Sequence, residues 1–269
     1  MNPSRREFLG VAAGTAALGA AAPPARHVLE AFDYRGVRLL DGPLKSQFDF
    51  ARSFYLKIPD ENLLKGFRQR AGMPAPGRDM TGWYAGNPKQ VAWWAKGDTF
   101  NAFGQYLSGM ARMARAAGDT ALLEKAAGLM REWAKTIEPD GYFYYSRQPW
   151  TPHYTYEKTM YGLVDLYQFG GQKEAVPLME RITAWAVKNL DRSRKIPLQG
   201  VDFSANGQEW YTLCENLYRA YQLTGDARYK DFGDLWRYHD YWGMFTSGQE
   251  PKPYGRHAYS HVNTSAARL

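Results

Sequence analysis

The sequence contains a single cysteine, Cys214, among 269 residues. No intrachain disulfide can form, which excludes a small disulfide-stapled fold. Histidines are also few, five in all, and His153 and His257 have no second ligand at metal-binding spacing, so no metal site is expected from this chain's residues. Lys and Arg exceed Asp and Glu by a net charge of +7. They form no dense block and no basic stripe interleaved with aromatics, so no nucleic-acid partner is expected; a basic surface meeting acidic polysaccharide stays compatible with the charge. No hydrophobic run is long enough for a stable membrane span. Strand-type alternation never reaches the length of the helical patterns; only residues 36–44 ("GVRLLDGPL") read as a short strand or an extended arm.

What the chain does have is aromatic side chains, 15% of its residues, with 9 Trp and 19 Tyr. Such rings fill cores or stack on the apolar faces of sugars. The first 25 residues stand apart. "SRREFLG" places Arg5 and Arg6 before an Ala/Gly-rich apolar run that ends near Ala22. That order is a charged n-region, a short h-region and small residues suited to cleavage. The adjacent arginines match a twin-arginine export signal. The expectation is an export signal over 1–25, a folded domain over 26–269, and a periplasmic or extracellular destination.

Three helical hairpins repeat along the domain. They span about 99–136, 154–190 and 208–240, turning at Gly118-Asp119, Gly170-Gly171 and Gly225-Asp226. Glycine tolerates the left-handed conformation that ends a helix, and Asp119 and Asp226 can cap the helices that follow. Apolar residues recur at helical spacing, as in Phe103, Tyr106, Leu107 and Met110, or Tyr156, Met160, Leu163 and Val164. The fold class predicted is all-α: an incomplete (α/α)6 toroid of hairpins, with first helices inside and second helices outside. The aromatic connections at 138–153 and 191–208 then share a rim with the N-termini of the inner helices. Trp93, Trp94 and Trp150 fall in such rim loops, where stacking on sugars and loop packing are both open readings.

Glu209 and Glu215 lie six residues apart. On one regular helix that separation is about 240° beyond a full turn, so the two point to different sides. Glu209 reads as the rim residue, serving either the site or simply the helix N-terminus. Glu215 reads as a structural carboxylate, and Cys214, in an apolar stripe, as core.

The blocks at 39–74, 104–119 ("GQYLSGMARMARAAGD"), 154–167 ("YTYEKTMYGLVDLY"), 209–229 ("EWYTLCENLYRAYQLTGDARY") and 261–264 ("HVNT") resemble, in order, those of glycoside hydrolase family 127, the β-L-arabinofuranosidases. The resemblance spans about 36–267. It implies a six-hairpin α/α toroid followed by β-sandwich domains, and removal of L-arabinofuranose from plant glycans. It also implies a retaining mechanism with a zinc-bound Cys thiolate as nucleophile and a Glu acid/base. Those Cys residues fall beyond the H-x-N-T block in the family, so no cofactor is expected in this chain. The chain is expected to be the front part of a toroid, inactive alone as a Cys-nucleophile hydrolase, and prone to self-association through its open edge.

The family's G-H-Y-L-S histidine is Gln105 here, and that of Y-T-x-H-K is Glu157. Catalytic residues are not assigned. The substrate-binding candidates are Glu209, His261, Asn263, Glu157 and Gln105. Glu157 either accepts from sugar hydroxyls or pairs with Lys158; His261 either donates to a sugar or sits as a capping or solvent-facing side chain. The expected partner is an oligosaccharide or polysaccharide. A non-catalytic glycan-binding protein and a helical-repeat interaction module are the rival readings.

Overall fold

A computed structural model describes residues 33–79, 102–147, 149, 152–190, 209–248, 250, 261, 262 and 264. Among them there are helices and no strand. The predicted hairpins are α3 (Ala102–Ala117) with α4 (Thr120–Ala134), α5 (Pro152–Gln168) with α6 (Ala175–Asn189), and α7 (Leu213–Thr224) with α8 (Ala227–Asp234). Gly118 and Gly225 do take the left-handed conformation, at φ 66° and 75°. Asp119 accepts from the amides of Ala121 and Leu122, and Asp226 from that of Arg228. The third hairpin is shorter than expected: α8 stops at Asp234, and a separate short helix, α9 (His239–Met244), follows.

Two further helices precede these three hairpins, α1 (Pro43–Lys57) and α2 (Asp60–Arg70), which pack against α3 and α4 rather than on each other. The strand reading of residues 36–44 is incorrect: the chain there is extended and turning, and α1 begins at Pro43. These helices were not legible because they join at Ile58-Pro59, without the glycine and capping Asp of the hairpin turns. Its apolar pattern is also weak. α2 buries Leu63, Leu64 and Phe67, but α1 buries nothing and leaves Leu44, Phe50 and Phe54 exposed.

The first helices pack on one another, α3 on α5 and α5 on α7, while α4, α6 and α8 each back their own partner. The register shows that the three inner helices run parallel. A Cβ added at Gly104 would lie 1.9 Å from the Lys158 carbonyl oxygen, and one at Gly162 would lie 2.5 Å from that of Gly104. Further along, Ser108 and Arg112 reach Asp165. On the other flank Asn216 meets Glu157, and Arg219 meets Asp165 and Gln168. Early residues thus meet early residues and late meet late, so the leading ends of α3, α5 and α7 lie at one edge.

Helix α5 is the middle of this inner layer, and thirteen of its 17 residues are buried. The described part of the 138–153 connection mixes exposed residues (Pro139, Asp140, Arg147) with side chains that enter the core. Phe143 and Tyr144 stack at 4.2 Å against Trp185, and both are buried. Arg70 clamps this stretch through Tyr144 O (2.6 Å), Thr136 O (2.7 Å) and Glu138 Oε1 (2.8 Å). The aromatic richness here serves packing.

Candidate functional site

Burying thirteen residues of α5 takes three charged side chains inside with it. Glu157 and Lys158 are each 3% exposed, and Asp165 is sealed completely. Lys158 Nζ lies 2.9 Å from Glu157 Oε2 and faces the rings of Tyr154 at 4.7 Å and Tyr161 at 5.8 Å. The pairing of Glu157 with Lys158 is thus the arrangement found. Asn216 Nδ2 donates to Glu157 Oε1 at 2.6 Å. A buried ion pair survives only when its remaining lone pairs are satisfied in this way.

Two further carboxylates are electrostatically coupled to Glu157. Burial pushes the Glu157 carboxyl up from its ordinary range, and the negative charge of Glu209 pushes it the same way, while Lys158 and Asn216 pull it down. Burial likewise pushes up Glu215, and the Glu157 charge adds to that; Arg219, Lys158 and Arg112 oppose it. Glu209 and Glu215 are each electrostatically coupled to Glu157, and the angular reading that separates the two does not apply as drawn. That reading assumed one continuous helix. In the structure Glu209 stands outside α7 at φ 47°, followed by a 3-10 turn at Trp210–Thr212. Thr212 holds the Glu209 carbonyl with both its amide (3.0 Å) and its hydroxyl (2.8 Å). A non-glycine residue in the left-handed region costs about 1–3 kcal/mol, and such strain concentrates at functional positions.

Gln105 follows Gly104, whose backbone abuts Lys158, so it belongs to the same edge and is half-buried. His261 is 1% exposed, with its ring 4.2 Å from Tyr211, 5.0 Å from Tyr241 and 5.9 Å from Tyr238. It is neither solvent-facing nor a helix cap in water but a buried member of a tyrosine cluster. Glu157 and Glu209 are thus electrostatically coupled, Gln105 follows the α3–α5 contact at Gly104, and His261 lies in the cluster around Tyr211. Asn263 lies outside the described residues, as do Trp93, Trp94, Trp150 and His257.

The residues present do not fit the zinc-thiolate chemistry implied by the resemblance. Cys214 is buried, its Sγ directed at Tyr211 O, and burial pushes its thiol up to about 12, so it stays protonated. Among the described residues no group of three or more His, Cys, Asp and Glu is gathered to hold a metal ion.

Sequence reasoning missed Asp165 and Asn216. A signal was available: Glu157 and Asp165 are carboxylates eight positions apart on α5, roughly on one face.

Helix pairs in an inner and an outer layer, with polar side chains at the leading ends of the inner helices, define a helical-hairpin glycosidase fold. The family described as "Beta-L-arabinofuranosidase, GH127 catalytic domain" matches residues 36–265, and the chain belongs to that family. Comparison with curated proteins gave no match.

Proposed function

We propose that the protein recognises terminal L-arabinofuranosyl or related residues of plant-type glycans, at the edge formed by the leading ends of α3, α5 and α7. One observation carries this reading. In a chain of an arabinofuranosidase-type family, Glu209 stands just before α7 in a strained backbone conformation, and its charge acts on the buried Glu157 of α5. Carboxylates and amides are suitable acceptors and donors for sugar hydroxyls. Calorimetric titration with an alkyl β-L-arabinofuranoside checks it: Glu209→Gln should weaken binding about tenfold or more, the scale of one lost charged hydrogen bond. Unchanged affinity in a folded Glu209→Gln protein rejects the assignment.

Binding without turnover by Cys214 is the second reading, and the sealing of that thiol favours it. The chain's own residues then hold and orient a sugar, while no covalent step passes through Cys214. Aryl β-L-arabinofuranoside hydrolysis that disappears in Cys214→Ser would contradict this.

Export by the twin-arginine route is supported by Arg5 and Arg6 ahead of the apolar run. The Arg5→Lys/Arg6→Lys double variant should accumulate in the cytoplasm on fractionation. Equal export of both forms argues against the route. Among the described residues no helix is long and apolar enough to cross a membrane.

A further inference from the structure

Asn216 is 1% exposed and sits between two charged partners. Its Nδ2 donates to Glu157 Oε1 at 2.6 Å, and its Oδ1 accepts from Arg219 Nη1 at 2.9 Å. A guanidinium has donors only, so the amide cannot turn over without facing N–H against N–H. Arg219 is itself fixed, by Asp165 Oδ1 at 2.6 Å and Gln168 Oε1 at 2.7 Å. Asp165 in turn accepts from Ser108 Oγ at 2.6 Å and Arg112 Nε at 2.5 Å. Each link has one permitted direction. Donors from α3 and α7 converge on Asp165, and Arg219 passes the polarity on through Asn216 to Glu157.

We infer that Asn216 is the positioning residue of the candidate site: its amide pins Glu157 Oε1 as an acceptor and, with Lys158 against Oε2, fixes the orientation of the carboxylate. Both oxygens then face donors, one from α7 and one from α5. Three inner helices are needed to build the relay, and Asn216 is where it touches the site.

The charges acting near Glu157 are Lys158 from α5, Glu209 from the segment before α7, and Glu215 and Arg219 from α7. Arg112 of α3 acts on Glu215 and Asp165. Removing the Asn216 donor leaves these in place and takes away one group that favours the ionised carboxylate. Glu157 should then hold its proton to higher pH.

The test is infrared titration of the carboxyl C=O band, with the Glu157 contribution assigned by difference against Glu157→Gln. Asn216→Leu removes the amide. Asn216→Ala removes it with less bulk and adds no charge, so it carries the test even where Asn216→Leu folds poorly. Both should move the Glu157 titration up by about one to two pH units, the worth of a hydrogen bond to a charged group. Asn216→Gln, which retains an amide, should restore part of the shift. A cooperatively melting Asn216→Ala protein whose Glu157 titrates as in the parent overturns the inference.

The relay rests on the glycan-site reading only in its consequence, that the pH dependence of β-L-arabinofuranoside binding moves in step with Glu157. A shifted titration with an unmoved binding profile upholds the relay and rejects Glu157 as part of the sugar site.

Discussion

Glu157→Leu is expected to lower the stability of the fold by about 3–5 kcal/mol, read as a fall in the urea midpoint at unchanged slope. Two buried groups each lose a partner at once. Lys158 Nζ, on a side chain 3% exposed, loses the carboxylate 2.9 Å away. Asn216 Nδ2 is left without the acceptor it holds at 2.6 Å. Leucine fills the volume but answers neither need. Glu157→Gln should cost less, because its amide oxygen still accepts from Asn216 and because it resembles the protonated acid.

The pH dependence separates the two substitutions further. Glu157 and Glu215 both titrate above their ordinary value in the folded protein, chiefly through burial. The native state therefore keeps protons that the unfolded chain has already released. Their contribution to stability is complete below the ordinary carboxylate range and is lost as pH rises through the folded pKa values. The gap between the parent and Glu157→Gln should change with pH across that window and be flat below it. A gap independent of pH would mean that Glu157 is not held up by burial.

Gly104→Ala is the second large effect, with an expected cost of about 3 kcal/mol. The new Cβ would sit 1.9 Å from the Lys158 carbonyl oxygen and 2.4 Å from its carbon. Both are backbone atoms of α5, so no side-chain rotation relieves the overlap. α3 and α5 must separate, and the contact that sets the register of the inner layer opens beside Lys158. The helix-propensity gain of alanine over glycine, about 1 kcal/mol, is too small to offset this. Gly128→Ala in α4 gives the contrast, since nothing lies within 4 Å of its Cβ. That change should be neutral or stabilise by up to about 1 kcal/mol. Similar thermal melting of the two variants would deny the close α3–α5 approach.

The three hairpins were readable because local chemistry marks them. Gly118-Asp119 and Gly225-Asp226 supply a helix stop and a cap within two residues, and both act as such. The α1–α2 junction carries neither mark, and α1 lacks a buried stripe to betray it. At the site, residue identities were readable but their surroundings were not. Glu157 and His261, taken as rim side chains, are buried, because α5 lies between α3 and α7 and because three tyrosines surround His261. Glu215 was set aside by an angular argument that fails where Glu209 leaves helical geometry. The route from Asp165 through Arg219 and Asn216 to Glu157 needs three parallel helices in one register, and no local pattern encodes that. Asp165 and Arg219 are ordinary helical residues until packing brings them together.

The most direct measurement is a crystal structure of the protein with an alkyl β-L-arabinofuranoside bound. The account predicts the sugar at the leading ends of α3, α5 and α7, its hydroxyls within hydrogen-bond distance of Glu209. A sugar seated away from that edge, or none at saturating concentration, would contradict it.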